Sequence, residues 1–311
     1  MKDGILNINK PQEMTSFDVV AILRKKLGIK RIGHLGTLDP MAEGVLPVAV
    51  GKATRVMEYL GSDMKEYIGE FVFGISTDTD DIWGEVLYVD ENIVVTRTDL
   101  ENCIKSFIGE VEQVPPKYSA LKVAGRKLYD YARAGQDVEI KSRKIYIESI
   151  DIIHEGVKKI EKVNMILPSF TLKIRCGKGT YIRSIARDMG SCLGTFGSMS
   201  GLVRTKNGAF KIEDAISIED IRHLEITEIE ALIRDVDYAL DTFSSVRIGE
   251  WETHLFRNGV KLEPNQWKKD SDSKEELSGY SGIYRVYGNI GFIGLGKENE
   301  KGQLKAEKVL I

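Results

Sequence analysis

Asp39 is the residue in this chain best placed to do chemistry. It is a single carboxylate in the run GHLGTLDPMAEGVLPVAVGKATR at residues 33–55, with few other reactive groups nearby. Gly33 and Gly36 open backbone conformations closed to other residues, and Pro40 steers Asp39 away from ordinary helix, so the spacing predicts a tight loop that presents the carboxylate. Taken alone, such a loop is served equally well by an aspartate that caps a turn. The spacing of the remaining reactive residues excludes most other chemistry. Cys103, Cys176 and Cys192 are too few and too far apart for a disulfide framework or a cysteine-based zinc site, and their odd number favours free thiols. His154, His223 and His254 have no metal-ligand spacing to one another or to a cysteine pair. TDTDD at residues 77–81 invites a calcium reading, but an EF-hand template begun at Asp78 puts Trp83 where glycine is required and Val89 where the terminal glutamate belongs. A polar turn between strands is expected there, and no metal.

Charge supplies the second signal. The formal net charge is −3, yet it is segregated: residues 101–150 carry nine basic against seven acidic side chains and residues 151–200 eight against four, while 51–100 carry four against eleven and 201–250 six against eleven. Between Lys117 and Lys144 there are eight basic and three acidic side chains, with Tyr118, Tyr129 and Tyr131 among them. Cations contact phosphates and aromatic rings stack on bases, which is what a surface for single-stranded or loop RNA requires. An ordinary solvated face is the competing reading. The 311 residues, 42% apolar and 29% charged, suffice for a full core and a second, smaller domain. No apolar run approaches a membrane span and MKDGILNINKP has no signal-peptide apolar region, so a cytoplasmic location is expected.

Five ordered motifs then carry a resemblance. NKPQEMTSFDVV at residues 9–20, GHLGTLDP with GVLPVAVGKATR, TDTDDIWGEV at 77–86, PPKYSALKVAGRKLYDYARAG at 115–135 and CGKGTYIRSIARDMG at 176–190 resemble the TruB family of tRNA pseudouridine synthases, in its bacterial, stand-alone type. One departure is visible, because Glu13 stands where the family's Lys-Pro-x-Gly-x-Thr-Ser motif has glycine. The resemblance implies an isomerase that flips uridine-55 out of the T loop of tRNA and converts it to pseudouridine without a cofactor. Asp39 is then the essential carboxylate, either attacking the sugar covalently or acting as a base toward its 2′ position while stabilising positive charge at C1′. Arg183 is its guanidinium partner, opposing protonation and fixing orientation. By the same resemblance Tyr67 stacks on the everted uracil, Tyr181 is the second active-site tyrosine and shuttles the C5 proton, and Leu202 forms an apolar wall. His34 fills the space the base vacates, unless it is a histidine satisfied within its loop, and Lys10 supports the site. Lys122, Arg126 and Lys127 are expected to bind RNA phosphates. The implied partner is the tRNA T arm, bound by a monomer with no membrane, guide RNA or obligatory protein partner. Two other readings are a relative working in a guide-RNA complex, against which the PPKYSALK segment argues, and a tRNA-folding factor without turnover, which joint retention of Asp39, Tyr67, Tyr181 and Arg183 disfavours.

The elements that must position these residues are legible in part. Thr15 or Ser16 caps an expected helix over 17–27, with Val20, Leu23 and Leu27 on one face and Gly28 at its end. Arg24, Lys25, Lys26, Lys30 and Arg31 form a basic patch leading into the loop, serving either RNA steering or a helix end that favours cations. Alternation at Phe170, Leu172, Ile174 and Cys176 predicts a strand running into the KGTYIR turn, followed by a helix with Ile182, Ile185, Ala186 and Met189 inward and Gly190 closing it. Further strands are expected at 68–75, 84–89, 144–153 and 163–167, and helices at 99–108, 219–224 and 228–240. Strands and helices without strict alternation indicate an α+β fold with a largely antiparallel sheet, as in the pseudouridine synthase fold. Residues 1–244 are expected to form the catalytic domain, with 115–144 a basic RNA-binding insertion. Residues 245–311 are expected to form a small, mainly-β, PUA-like RNA-binding domain, with a hairpin over 284–296 turned at Gly288 and Asn289 and an exposed loop at 268–279.

Overall fold

Strand β1 (Gly4–Lys10) divides the interior. Ile5 on one side joins an apolar cluster with Phe243, Ile283 and Leu295, whereas Leu6 and Ile8 join the main cluster under the helices, so the strand's period of two sends alternate residues into separate cores. The computed structural model describes residues 2–60, 64–270 and 281–310, which leaves most of the expected 268–279 loop outside the described residues.

Helix α1 (Ser16–Leu27) begins with a capping box between Thr15 and Asp18 and ends at Gly28 with φ 68°, as its sequence dictates. Strands β2 (Ile32–His34) and β3 (Glu43–Val50) flank the Asp39 loop; β3 repeats the division of β1, with Val45 and Ala49 facing one core and Leu46 and Val48 the other. Gly33 therefore lies in a strand, packed so close to Met57 that a Cβ would fall 2.9 Å from its sulfur, and only Gly36 of the expected pair takes a left-handed turn, at φ 83°. The short helix α2 (Met57–Leu60) leads to β4 (Met64–Phe73), and the ribbon of β5 (Ile75–Thr77) and β6 (Val86–Val89) carries the polar turn. Helix α3 (Arg97–Ile104) and β7 (Gly109–Gln113) precede the basic insertion, which holds the small ribbon β8 (Lys122–Val123) and β9 (Arg126–Lys127) and helix α4 (Leu128–Arg133).

The long hairpin of β10 (Arg143–Ile160) and β11 (Met165–Gly177) merges the two strands expected at 163–167 and 170–176. Pro168 does not break β11, because pairing with β4 starts at Ser169 and one edge is free where the proline sits. Helix α5 (Ile182–Cys192) runs through Gly190 instead of stopping there. That glycine serves packing: a Cβ on it would lie 2.2 Å from the Gly197 nitrogen, at the start of β12 (Gly197–Asn207). Strands β13 (Phe210–Lys211) and β14 (Ile216–Ser217) complete a ten-stranded sheet ordered β14-β1-β3-β12-β4-β11-β10-β7, with β2 and β13 at the side. Within this sheet, among the described residues, only the β1–β14 and β3–β12 pairs are parallel. The fold is thus α+β, as the mixture of elements predicts.

Helices α6 (Ile218–His223) and α7 (Ile226–Leu232) follow; the helix expected over 228–240 breaks after Leu232 and resumes as a 3₁₀ turn over Val236–Ala239. Strand β15 (Ser245–Ile248), helix α8 (Glu250–Arg257), and strands β16 (Trp267–Lys269), β17 (Ile283–Gly288), β18 (Gly291–Glu298) and β19 (Leu304–Val309) form a C-terminal five-stranded sheet. The β17–β18 hairpin pairs Gly288 with Gly291, so its turn is Asn289–Ile290, one residue later than expected. Val246, Phe256, Val286 and Leu304 give this sheet a core of its own.

Candidate active site

The Asp39 loop is held from three sides. Ser16, at the start of α1, accepts the Leu38 N–H at 2.9 Å and donates its hydroxyl to the Leu38 carbonyl, so the residue before Asp39 is fastened by one side chain. Lys10 is fully buried at the end of β1, and its Nζ donates to the carbonyls of Pro11, Met14 and Pro40 at 2.7–3.1 Å. Burial lowers its pKa to about 8, against the opposing pull of the Asp39 and Glu43 carboxylates. From β12, Arg204 reaches carbonyls on both limbs of the loop, and Asn207 donates to the Leu35 carbonyl.

Helix α5 supplies the other half. Arg183, in its first turn, places Nε 2.8 Å from Asp39 Oδ2 in an ion pair; its side chain is 6% exposed and that of Asp39 40%. The guanidinium is therefore fixed in the protein while the carboxylate keeps an open face. Nη1 donates to the Thr79 carbonyl and stands 3.7 Å from Asp81, and Nη2 donates to the carbonyl of Tyr118 in the basic insertion. One turn later Arg187 pairs with Asp80 at 2.9 Å and donates to the Val114 carbonyl. Burial raises the pKa of Asp80 to about 6 and also raises that of Asp81. The expected polar turn is thus also the acidic support of two arginines. Among the described residues no group of three or more His, Cys, Asp or Glu side chains could hold a metal ion.

The remaining expected residues fall into two groups. Tyr67 on β4 and Leu202 on β12, each 7% exposed, lie on neighbouring strands, and burial raises the Tyr67 pKa so that the phenol stays protonated. Tyr181 precedes α5, its backbone clasped by the Gln113 side chain and its ring lying 4.5 Å beneath the Arg143 guanidinium. His34 ends β2; burial, and then Arg204, push its pKa below that of a free imidazole, leaving it neutral near pH 7. Lys122, Arg126 and Lys127 stand apart on the β8–β9 ribbon, with Arg126 4.7 Å over the Tyr131 ring and Lys127 paired with the Tyr129 hydroxyl. Reading the motifs alone missed Ser16, Asp81 and Arg204; the one signal for Arg204 was a charge within the otherwise uncharged segment GSMSGLVRT.

The family model for the N-terminal domain of TruB family pseudouridylate synthases matches residues 24–182, and that for the C-terminal domain of tRNA pseudouridylate synthase B matches residues 183–241. The chain belongs to the TruB family. It is 44% identical over 99% of both chains to tRNA pseudouridine synthase B of Clostridium perfringens, and 41% identical to that of Clostridium tetani over 99% of this chain and all of the relative. TruB membership makes it a pseudouridine synthase, an isomerase by class, with tRNA as the family's substrate. Its fold is shared with a solved Cbf5-Nop10-Gar1 complex at TM-score 0.72 and 25% identity, and with an H/ACA ribonucleoprotein bound to a substrate RNA containing 2′-deoxyuridine at TM-score 0.72 and 24% identity; each match covers 99% of this chain and 85% of the other. The two TruB models meet between Ile182 and Arg183, inside α5, where the helix is unbroken.

Proposed function

We propose that this TruB protein converts uridine-55 in the T loop of tRNA to pseudouridine, with Asp39 as the essential carboxylate. The observation that carries the reading is the 2.8 Å pairing of a half-open Asp39 with a buried Arg183, between a loop and a helix that have no other reason to share a charge. The glycosidic bond from N1 to C1′ breaks, the base turns, C5 bonds to C1′, and the C5 proton is exchanged for one on N1; no electrons leave the substrate. Asp39 serves either as nucleophile at C1′ or as base at the 2′ position. Arg183 aims it, because the guanidinium beside it is itself locked in place by the Thr79 and Tyr118 carbonyls. In this reading Tyr67 and Leu202 provide the face against which uracil lies, and Tyr181 moves the C5 proton.

Reaching a stacked nucleoside requires everting it, which costs a few kcal/mol of unstacking. A neutral, half-buried His34 suits the vacated space better than an imidazolium would. Lys122, Arg126 and Lys127 are assigned to phosphate contacts on the insertion, 115–144, and the PUA-like C-terminal domain, 245–311, to further RNA binding. The protein is read as a cytoplasmic monomer that needs no guide RNA; no helix among the described residues is long and apolar enough to cross a membrane. The test is to incubate purified protein with unmodified tRNA transcript and map pseudouridine chemically, beside a transcript with cytidine in place of uridine-55. Product only in the first supports the reading. Tight binding with no product in either favours a tRNA-folding role instead.

A further inference from the structure

Arg204 belongs to none of the motifs that carry the resemblance, yet at 1% exposure it is among the largest fully buried side chains of the protein. A guanidinium taken out of water is expensive unless its donors are satisfied, and a carboxylate is the usual partner. None of the ion pairs among the described residues involves Arg204. Three of its contacts are to main-chain carbonyls, Nε donating to Val45 at 2.7 Å, Nη2 to Gly36 at 3.1 Å and Nη1 reaching Thr37 at 3.5 Å, and its side chain also hydrogen-bonds the Tyr67 hydroxyl. Gly36 and Thr37 precede Asp39 in the loop and Val45 follows it, so one planar group spans both limbs.

The backbone of the same residue makes a second contact. Arg204 is in register with Gly44 across the parallel β3–β12 pair, and a Cβ on Gly44, where φ is 102°, would fall 2.3 Å from the Arg204 carbonyl oxygen. On its other side Arg204 is in register with Tyr67 on β4. The loop's exit, its two limbs and the wall of the uracil site are thereby referred to a single residue. Lysine would bring the charge, but with its donors all on one nitrogen at the end of a flexible stem, whereas the guanidinium spreads them over three nitrogens in a rigid plane and so fixes the spacing of the two limbs.

We infer that Arg204 is a positioning residue for the isomerisation: by tying both limbs of the 36–45 loop to β12, it sets where the Asp39 carboxylate stands relative to the sugar. The inference rests on the reading of Asp39 as the reacting carboxylate. It requires that altering the fork slows the chemical step and leaves tRNA affinity and the fold in place.

The test compares wild type, Asp39→Asn, Arg204→Lys and Arg204→Ala by thermal unfolding, tRNA filter binding and single-turnover pseudouridine formation with saturating protein, the last variant with and without added guanidinium ion. The expected result is a folded Arg204→Lys protein whose tRNA affinity stays within about threefold of wild type while its rate falls at least about 100-fold. Guanidinium, but not methylammonium, should restore part of the Arg204→Ala rate. Wild-type rates in Arg204→Lys, an equal loss of affinity and rate, or failure of both variants to fold would each overturn the inference, the last because the residue would then hold the fold as a whole. Activity in Asp39→Asn would instead bring down the reading beneath it, whatever the Arg204 variants do.

Discussion

The carboxylates around α5 have unequal tasks. Asp39 is open on one side and paired on the other, which suits the substrate-facing role proposed for it, whereas Asp80, with its side chain 14% exposed, is held against Arg187. Because burial raises the folded-state pKa of Asp80 from 3.8 to about 6, the folded protein holds this proton more tightly than the unfolded chain. The stability so contributed is complete below the unfolded pKa and is lost as pH rises through the folded one. Urea unfolding should therefore show wild type losing stability relative to Asp80→Asn between about pH 4 and about pH 7. A constant difference between the two proteins across that window would contradict the burial argument. Asp39, Arg183 and Lys10 were legible because motif residues mark them. Arg204, Ser16 and Asp81 were not, since two of them act on main-chain atoms of a loop distant in the chain and the third through an arginine on a helix that folding brings near.

At the scale of elements, local chemistry was readable and long-range contact was not. The Thr15–Asp18 capping box and Gly28 delimit α1 from within the segment itself. Gly190 reads as a helix stop from sequence, but its partner is Gly197 on the next strand, a contact that no local pattern announces. Gly190→Ala should accordingly cost more than about 2 kcal/mol by driving α5 away from β12, seen as a lowered unfolding midpoint; an unchanged midpoint would show that the two elements can separate freely. Glu13 is the opposite case. It occupies the family's glycine position and takes φ 60°, a left-handed conformation that strains a residue with a Cβ. Glu13→Gly should raise stability by about 0.5–1 kcal/mol, the relieved strain outweighing the greater entropy of the unfolded glycine chain. A loss of stability in chemical unfolding would mean that the glutamate makes a compensating contact.

Across the whole molecule, charge matters by location. A net charge of −3 hides a basic insertion, and the insertion is joined to the candidate active site through the Tyr118 carbonyl that Arg183 holds, with the residue just before it, Val114, held by Arg187. Converting Lys122, Arg126 and Lys127 together to glutamine should weaken tRNA binding and flatten the slope of log affinity against log salt by about 2, at about 0.7 per lost phosphate contact. The rate at saturating tRNA should hold. An unchanged salt slope would remove these residues from the RNA surface. The expected split at residue 244 meets a shared core, since Ile5, Val45 and Leu35 pack in one cluster with Ile283, Leu295 and Leu310. Short strands announce the second sheet in the sequence, but not that its residues would help bury the underside of β1 and β3.

The central claim is that the Asp39 carboxylate performs the isomerisation. Its most direct test is single-turnover pseudouridine formation on unmodified tRNA by wild type and Asp39→Asn, an exchange that keeps the side chain's size and removes its charge, with tRNA affinity measured alongside. The account predicts a rate reduced by at least about 1,000-fold with affinity retained, the signature of a group that acts only in the transition state. Pseudouridine formed by Asp39→Asn at a rate near that of wild type would contradict it.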